Sequence, residues 1–175
     1  MRVVQLTVGS IGCTAAQAYA RITKFERYPE LVAEVRSVVV HDTPGGAPMT
    51  SDWEVCFRNG PLRWSEVDYF QPEQRRIVFE QTTGDFDVFR GTWRVESVGP
   101  GCAVHFEAAF DFGIPSLAGI LEPVAEKVLK EGLALALFQL LGDARVVDDE
   151  AVAVAVAGRL ADRLREPSEL ASRPR

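Results

Sequence analysis

Through most of the first two-thirds of the chain, apolar and polar positions alternate with a period of two; they then switch to a helical period. Arg2 to Val8 sets Val3, Gln5 and Thr7 against Val4, Leu6 and Val8, which predicts a first strand broken at Gly9 to Gly12. Thr14 then stands as an N-cap before Ala15, Ala18, Tyr19 and Ile22 at helical spacing. Phe25 to Leu31 reads as a turn or short helix interrupted by Pro29. Strands are predicted at Val35–His41, Asp52–Arg58, Leu62–Phe70, Arg76–Thr82, Phe86–Ser97 and Ala103–Phe112, separated by Gly- and Pro-rich turns. Asn59-Gly60 is the strongest hairpin signal, because Asn-Gly accepts the positive φ of a type I′ turn. From 116 to 141 the pattern becomes one long helix. Its stripe is Leu117, Ile120, Leu121, Val124, Val128, Leu129, Leu133, Leu137 and Leu140, with Glu122, Glu126, Lys127 and Lys130 on a wet side.

This order divides the chain into a domain over 1–142 and a C-terminal appendage over 143–175. In the appendage, Asp148 to Glu150 open a helix running to Arg165, although the alternation in 151–157 fits a strand equally well. The tail after Pro167 is expected to be disordered. Six strands in succession closed by one helix predict a cavity, since a curved sheet has more inner surface than a single helix covers. Its expected lining is Trp64, Phe70, Phe79, Trp93, Phe106 and Phe110, which suits a hydrophobic or aromatic small molecule. Gly113 to Leu117 is a flexible joint before the helix, and with the loops at 43–51 and 83–87 it is expected to frame the entrance.

Composition removes several function classes. The 175 residues are 47% hydrophobic, enough for one domain with a sizeable core. A net charge of −6 and no basic stripe argue against nucleic acid. The apolar runs fall short of the ~20 residues that span a bilayer, and the N-terminal pattern lacks the layout of a secretory signal. Cys13, Cys56 and Cys102 are scattered without CxxC spacing, which fits a reducing, cytoplasmic setting rather than a disulfide framework or a zinc site. His41 and His105 form no metal constellation, and nothing implies a cofactor.

The element order is that of an α+β helix-grip fold, a bent antiparallel sheet of about seven strands gripping a C-terminal helix. Tyr28-Pro-Glu-Leu31, Gln71-Pro-Glu-Gln-Arg75, Phe89-Arg-Gly-Thr-Trp93 and Phe110-Asp-Phe112 fall in a telling order across residues 2–142. With them the chain resembles the START, or Bet v 1-like (SRPBCC), superfamily, and within it the bacterial polyketide cyclase/aromatase and coenzyme-Q-binding branch. The resemblance implies a pocket for a poly-ketone or aromatic intermediate, aldol cyclisation with loss of water, and no cofactor. It also implies that Trp64, Glu66, Asp68 and Phe70 form an inward row, ending where resembling enzymes carry a basic residue. Phe70 occupies that position here, a departure from the family's pattern.

Glu66 and Asp68 are the candidate acid–base groups. Burial and mutual repulsion raise carboxyl pKa values into a useful range, and such a pair could remove a proton alpha to a ketone or protonate a departing hydroxyl. The alternation leaves open whether they, or Val67 and Tyr69, face the cavity. Tyr28 either offers a phenol at the cavity mouth or packs the short loop. Arg90 is either a solvent-side partner on its strand or, if the chain bends at Gly91, a cavity residue near Asp68. Trp53 is a further candidate at the substrate. The alternative to an enzyme is a non-catalytic binder or carrier of a quinone, lipid or pigment. A second copy of the chain, through Val152, Val156, Leu160 and Leu164, or an acyl-carrier protein are further expected partners.

Overall fold

The structure, a computed structural model, describes residues 1–45, 48–58 and 60–165. One strand, β1 (Arg2–Ser10), leads into α1 (Ala15–Ile22) and the short α2 (Tyr28–Leu31). Six strands follow: β2 (Val35–His41), β3 (Met49–Phe57), β4 (Gly60–Gln71), β5 (Arg76–Gly84), β6 (Val88–Val98) and β7 (Gly101–Asp111). The long α3 (Ala118–Leu141), β8 (Ala144–Val147) and α4 (Glu150–Arg165) complete the fold. The sheet has eight strands in the order β2-β3-β4-β5-β6-β7-β1-β8. Every pairing is antiparallel. This is the helix-grip arrangement.

Local chemistry sets the elements. Thr14 caps α1 with a capping box: its Oγ1 accepts from the Gln17 amide at 3.2 Å, while Gln17 Oε1 accepts from the Thr14 amide at 3.0 Å. Phe57 pairs with Gly60, which sets the register of β3 on β4. Asn59, half of the expected hairpin signal, lies outside the described residues, as does the tail beyond 165. The inner face of the sheet carries Trp64, Ile77, Phe79, Phe89, Trp93, Phe106 and Phe110, all buried and closed off by the second half of α3 through Leu135, Leu137, Leu140 and Leu141.

Two features differ from the sequence expectation, and one segment left open between helix and strand is decided. Ala144–Val147 forms an eighth strand on β1, too short at four residues to register as a period. The alternating 151–157 segment is helical, with Val152 and Val156 buried against α3. Glu122 is buried rather than solvated, and Glu126 and Lys130 are half-buried, because this side of α3 faces β1 and α4. Arg2 pairs there with Glu126, and Lys130 bridges Glu126 at 3.3 Å and Asp149 at 3.0 Å. Exposed apolar side chains instead occur at Leu117 and Ile120, where the helix begins.

Candidate functional site

Between the inner face of the sheet and α3 lies a cavity of about 80 Å³. Trp53, Val55, Trp64, Phe79, Phe89, Trp93 and Phe106 wall it from the sheet, Val128, Leu129, Gly132 and Leu133 from α3, and Phe25, Val32 and Val35 from the α1–β2 connection. Only Glu66 and Glu34 bring charge to the lining. Trp53 and Trp64 face each other across β3 and β4, stacked at 5.9 Å with parallel planes. Gly84 makes room for this stack: a Cβ there would stand 2.5 Å from the Trp64 Cβ.

Trp64 anchors the inward row of β4, and alternation carries Glu66 and Asp68 inward with it. Glu66 is 5% exposed and Asp68 fully enclosed, while Tyr69 on the opposite face is exposed. The question left open by the pattern is thus answered by the two aromatic anchors of the row. Two donors reach the carboxyl groups, and a third aims one of them. The Trp64 indole N–H donates to Glu66 Oε2 at 2.7 Å. Ser51, itself fully buried, donates from Oγ to Asp68 Oδ2 at 2.7 Å and accepts from the Trp53 indole at 2.9 Å. Burial, and next the neighbouring Asp68 charge, push the Glu66 carboxyl well above the usual range, against the pull of the Trp64 N–H. Burial likewise raises Asp68 to about 6, with the Ser51 and Glu66 hydrogen bonds working in the opposite direction.

The remaining candidates divide. Trp53, Trp64, Phe79, Trp93 and Phe106 line the cavity. Phe110 is fully buried but packs on Phe86 and Phe112, away from it. Phe70 sits against Phe25 at 5.7 Å outside the lining. Tyr28 is not at the mouth. Its ring is enclosed by Phe25, Trp53 and Trp93, its hydroxyl donates to the Ile22 carbonyl at 3.1 Å, and burial pushes the phenol pKa up. Arg90 is exposed on the outer face, paired in register with Glu80, because β6 keeps its alternation through Gly91. His105 also lies on that face, bonded to Thr7 and Glu96.

Among the described residues, none of the 43–51 loop lines the cavity. Two grooves instead flank the cavity along α3. One, of about 620 Å³, runs between Pro123–Glu131 of α3, the end of β3 and Arg159 of α4. The other, of about 390 Å³, lies under Leu121, Val124 and Ala125, beside Pro61, Asp85 and Ile114. Glu34 at the rim is held by Arg159 at 2.7 Å.

Sequence reasoning missed Phe89, whose signal was its shared alternation with Trp93, and Ser51, whose signal lay in the β3–β4 register. Residues 11–134 match the family described as polyketide cyclase/dehydrase and lipid transport. The chain belongs to this family. Its fold is shared with solved structures of low identity. A Thermus thermophilus protein, TTHA0849, is 22% identical over 90% of this chain and 99% of its own, with a TM-score of 0.69. The Zhui aromatase/cyclase from Streptomyces sp. R1128 is 17% identical over 81% of this chain and 92% of its own, with a TM-score of 0.64. A START superfamily protein from Mycobacterium smegmatis is 20% identical over 79% and 96%, with a TM-score of 0.69. No curated protein matches the sequence. No helix among the described residues is long and apolar enough to cross a membrane.

Proposed function

We propose that this family member binds a neutral poly-ketone or aromatic intermediate between sheet and helix and promotes aldol cyclisation and dehydration by positioning plus acid–base catalysis. The observation that carries the reading is Glu66, a carboxyl group of raised pKa set into an otherwise aromatic wall. No Lys, Arg or His among the described residues lines the cavity, so an anionic ligand has no counter-charge there. Protonated Glu66 donates to the ketone oxygen as an enol carbon attacks, and the enol O–H returns a proton to it. In the second step Glu66 protonates the departing hydroxyl, which leaves as water, and its carboxylate then removes the alpha proton. Glu66 ends each step with the proton it began with. Asp68, enclosed behind it, stays ionised and sets its basicity. The aromatic walls supply the larger contribution, by holding the ketone and enol carbons in reach of one another.

A cavity of about 80 Å³ is far below the ~300–1,000 Å³ of ligand pockets. Binding therefore requires the first half of α3 to move outward into the flanking grooves. That half is built for it: a side chain at Gly119 would meet nothing, and Pro123 removes a helix hydrogen bond. The same small volume, and Phe70 in place of the resembling enzymes' basic residue, support the second reading, a carrier of a lipophilic molecule. Turnover of a poly-ketone mimic by Glu66→Gln and Asp68→Asn variants separates the two. Rates falling by ~10²-fold or more, with binding kept, support the enzyme. Rates equal to those of the unaltered chain remove both carboxyls and leave the carrier. Native mass spectrometry of the purified chain identifies the co-purifying ligand.

A further inference from the structure

Hydrogen-bond direction around the carboxyl pair is fixed by groups that can act only one way. An indole N–H can only donate. Ser51 Oγ therefore accepts from Trp53, and its own proton goes to Asp68 Oδ2. Glu66 Oε2 likewise accepts from Trp64. Each of these two carboxyl oxygens already accepts a hydrogen bond, which favours its unprotonated form. Asp68 Oδ1 is fully buried with no partner, a state that buried oxygens rarely keep. Glu66 is its neighbour two residues along the same face, within hydrogen-bonding reach.

We infer that Ser51, aimed by the Trp53 indole, is the positioning residue that keeps the carboxyl pair singly protonated, with the proton on Glu66 Oε1 directed at Asp68 Oδ1 in the unliganded protein and turned to a ketone that enters the cavity. The arrangement gives the two acids unequal roles. Asp68 receives a hydroxyl donor and a carboxyl donor and holds the negative charge, while Glu66, at the cavity wall, carries the proton. Ser51 also hydrogen-bonds Glu66 and pulls its carboxyl down, but burial and the Asp68 charge outweigh that pull. Val128, Leu129, Gly132 and Leu133 of α3 are uncharged. On the α1–β2 side, the Tyr28 phenol is committed to the Ile22 carbonyl and Glu34 is held by Arg159. On β5, Gln81 stands opposite Glu66; its amide N–H donates to the Phe86 carbonyl, while its buried Oε1 has no partner and is the competing acceptor for the Glu66 proton. The inference rests on the enzyme reading only for its catalytic consequence; the protonation itself is readable without substrate.

The test is a carboxyl-carbon NMR titration of the unliganded protein, labelled at Glu and Asp side chains and assigned with Glu66→Gln and Asp68→Asn. Near pH 7 the Glu66 carbon is expected in its protonated position and Asp68 in its ionised one. Ser51→Ala should raise the Asp68 midpoint by about one to two pH units, the worth of a hydrogen bond to an ionised carboxylate. Ser51→Thr, which keeps the hydroxyl, should restore it. Trp53→Phe leaves Ser51 in place without the donor that aims it and should move the midpoint in the same direction by less; it carries the test if Ser51→Ala does not fold. Two ionised carboxyls near pH 7, a proton on Asp68 instead of Glu66, or a midpoint unmoved in the variants overturns the inference. A titration as stated alongside unchanged turnover in Glu66→Gln would keep the protonation and remove the enzyme.

Discussion

Replacing Asp68 by asparagine removes a charge that the folded chain holds at a disadvantage while keeping the shape of the site. The amide oxygen can still accept from Ser51, and the amide N–H takes the orphaned direction toward Glu66. Moving a carboxyl from 3.8 to about 6 makes its ionisation about 3 kcal/mol harder in the folded chain than in the unfolded one. The sign follows from proton binding. Below the unfolded value of 3.8 both states carry the proton and the penalty is absent. It grows as pH rises through that window and is complete above about 6. The carboxyls of Asp52, Glu54, Glu96, Asp111 and Asp149 are shifted downward and act in the opposite sense, but they do so equally in both proteins. Urea unfolding followed by tryptophan fluorescence therefore reads the contribution of the coupled Asp68–Glu66 pair as the gap between variant and parent. That gap should move in the variant's favour by up to ~3 kcal/mol between about pH 4 and pH 7, a shift of ~1 M or more in urea midpoint. A gap constant to within ~0.5 kcal/mol over that range would refute the raised ionisation.

Gly84→Ala should destabilise the fold by ~2 kcal/mol or more, because φ is +151° and the new methyl would meet the Trp64 Cβ at 2.5 Å; thermal unfolding reads it. Gly132→Leu should fill the cavity of about 80 Å³ and abolish binding of a hydrophobic fluorescent probe, with the circular dichroism spectrum unchanged. Half-buried Cys56 should react first with a thiol reagent. Cys102, its thiol pushed up to about 11 by burial and by the Cys13 sulfur 3.8 Å away, should react only on unfolding, which a time course of thiol counting checks.

Period alone was enough to read the succession of strands and the closing helix, because most strands and α3 are long and their aromatics repeat cleanly. The short β8 left no period to read. Side-chain direction was legible only where a large aromatic anchored the row: Trp64 decides Glu66 and Asp68, and Trp93 decides Phe89. For Tyr28 and Arg90 the pattern left two placements open, and the structure takes the packing one for Tyr28 and the outer-face one for Arg90, for physical reasons that local pattern does not carry. The Tyr28 hydroxyl is drawn to a carbonyl six residues back in the chain, and Arg90 keeps to an outer face crowded with acidic neighbours. Ser51 depended on register. A loop made of Asn59 and Gly60 themselves would set Ser51 opposite Asp68, whereas the observed Phe57–Gly60 pairing sets it opposite Glu66 and lets its hydroxyl reach Asp68 diagonally.

The four-residue β8 also decides where this chain can safely be cut. It pairs with Thr7 to Ser10 of β1 and so covers backbone groups at one margin of the sheet. A chain ending at Gly142 would lose that cover and present the end of β1, whose inner face carries Val4, Leu6 and Val8, as an open template for another molecule's strand. It would also strip α4 from α3, uncovering the apolar surface that Val152 and Val156 now occupy. A shortened chain therefore has to keep both β8 and α4, and aggregation is the hazard of stopping before them.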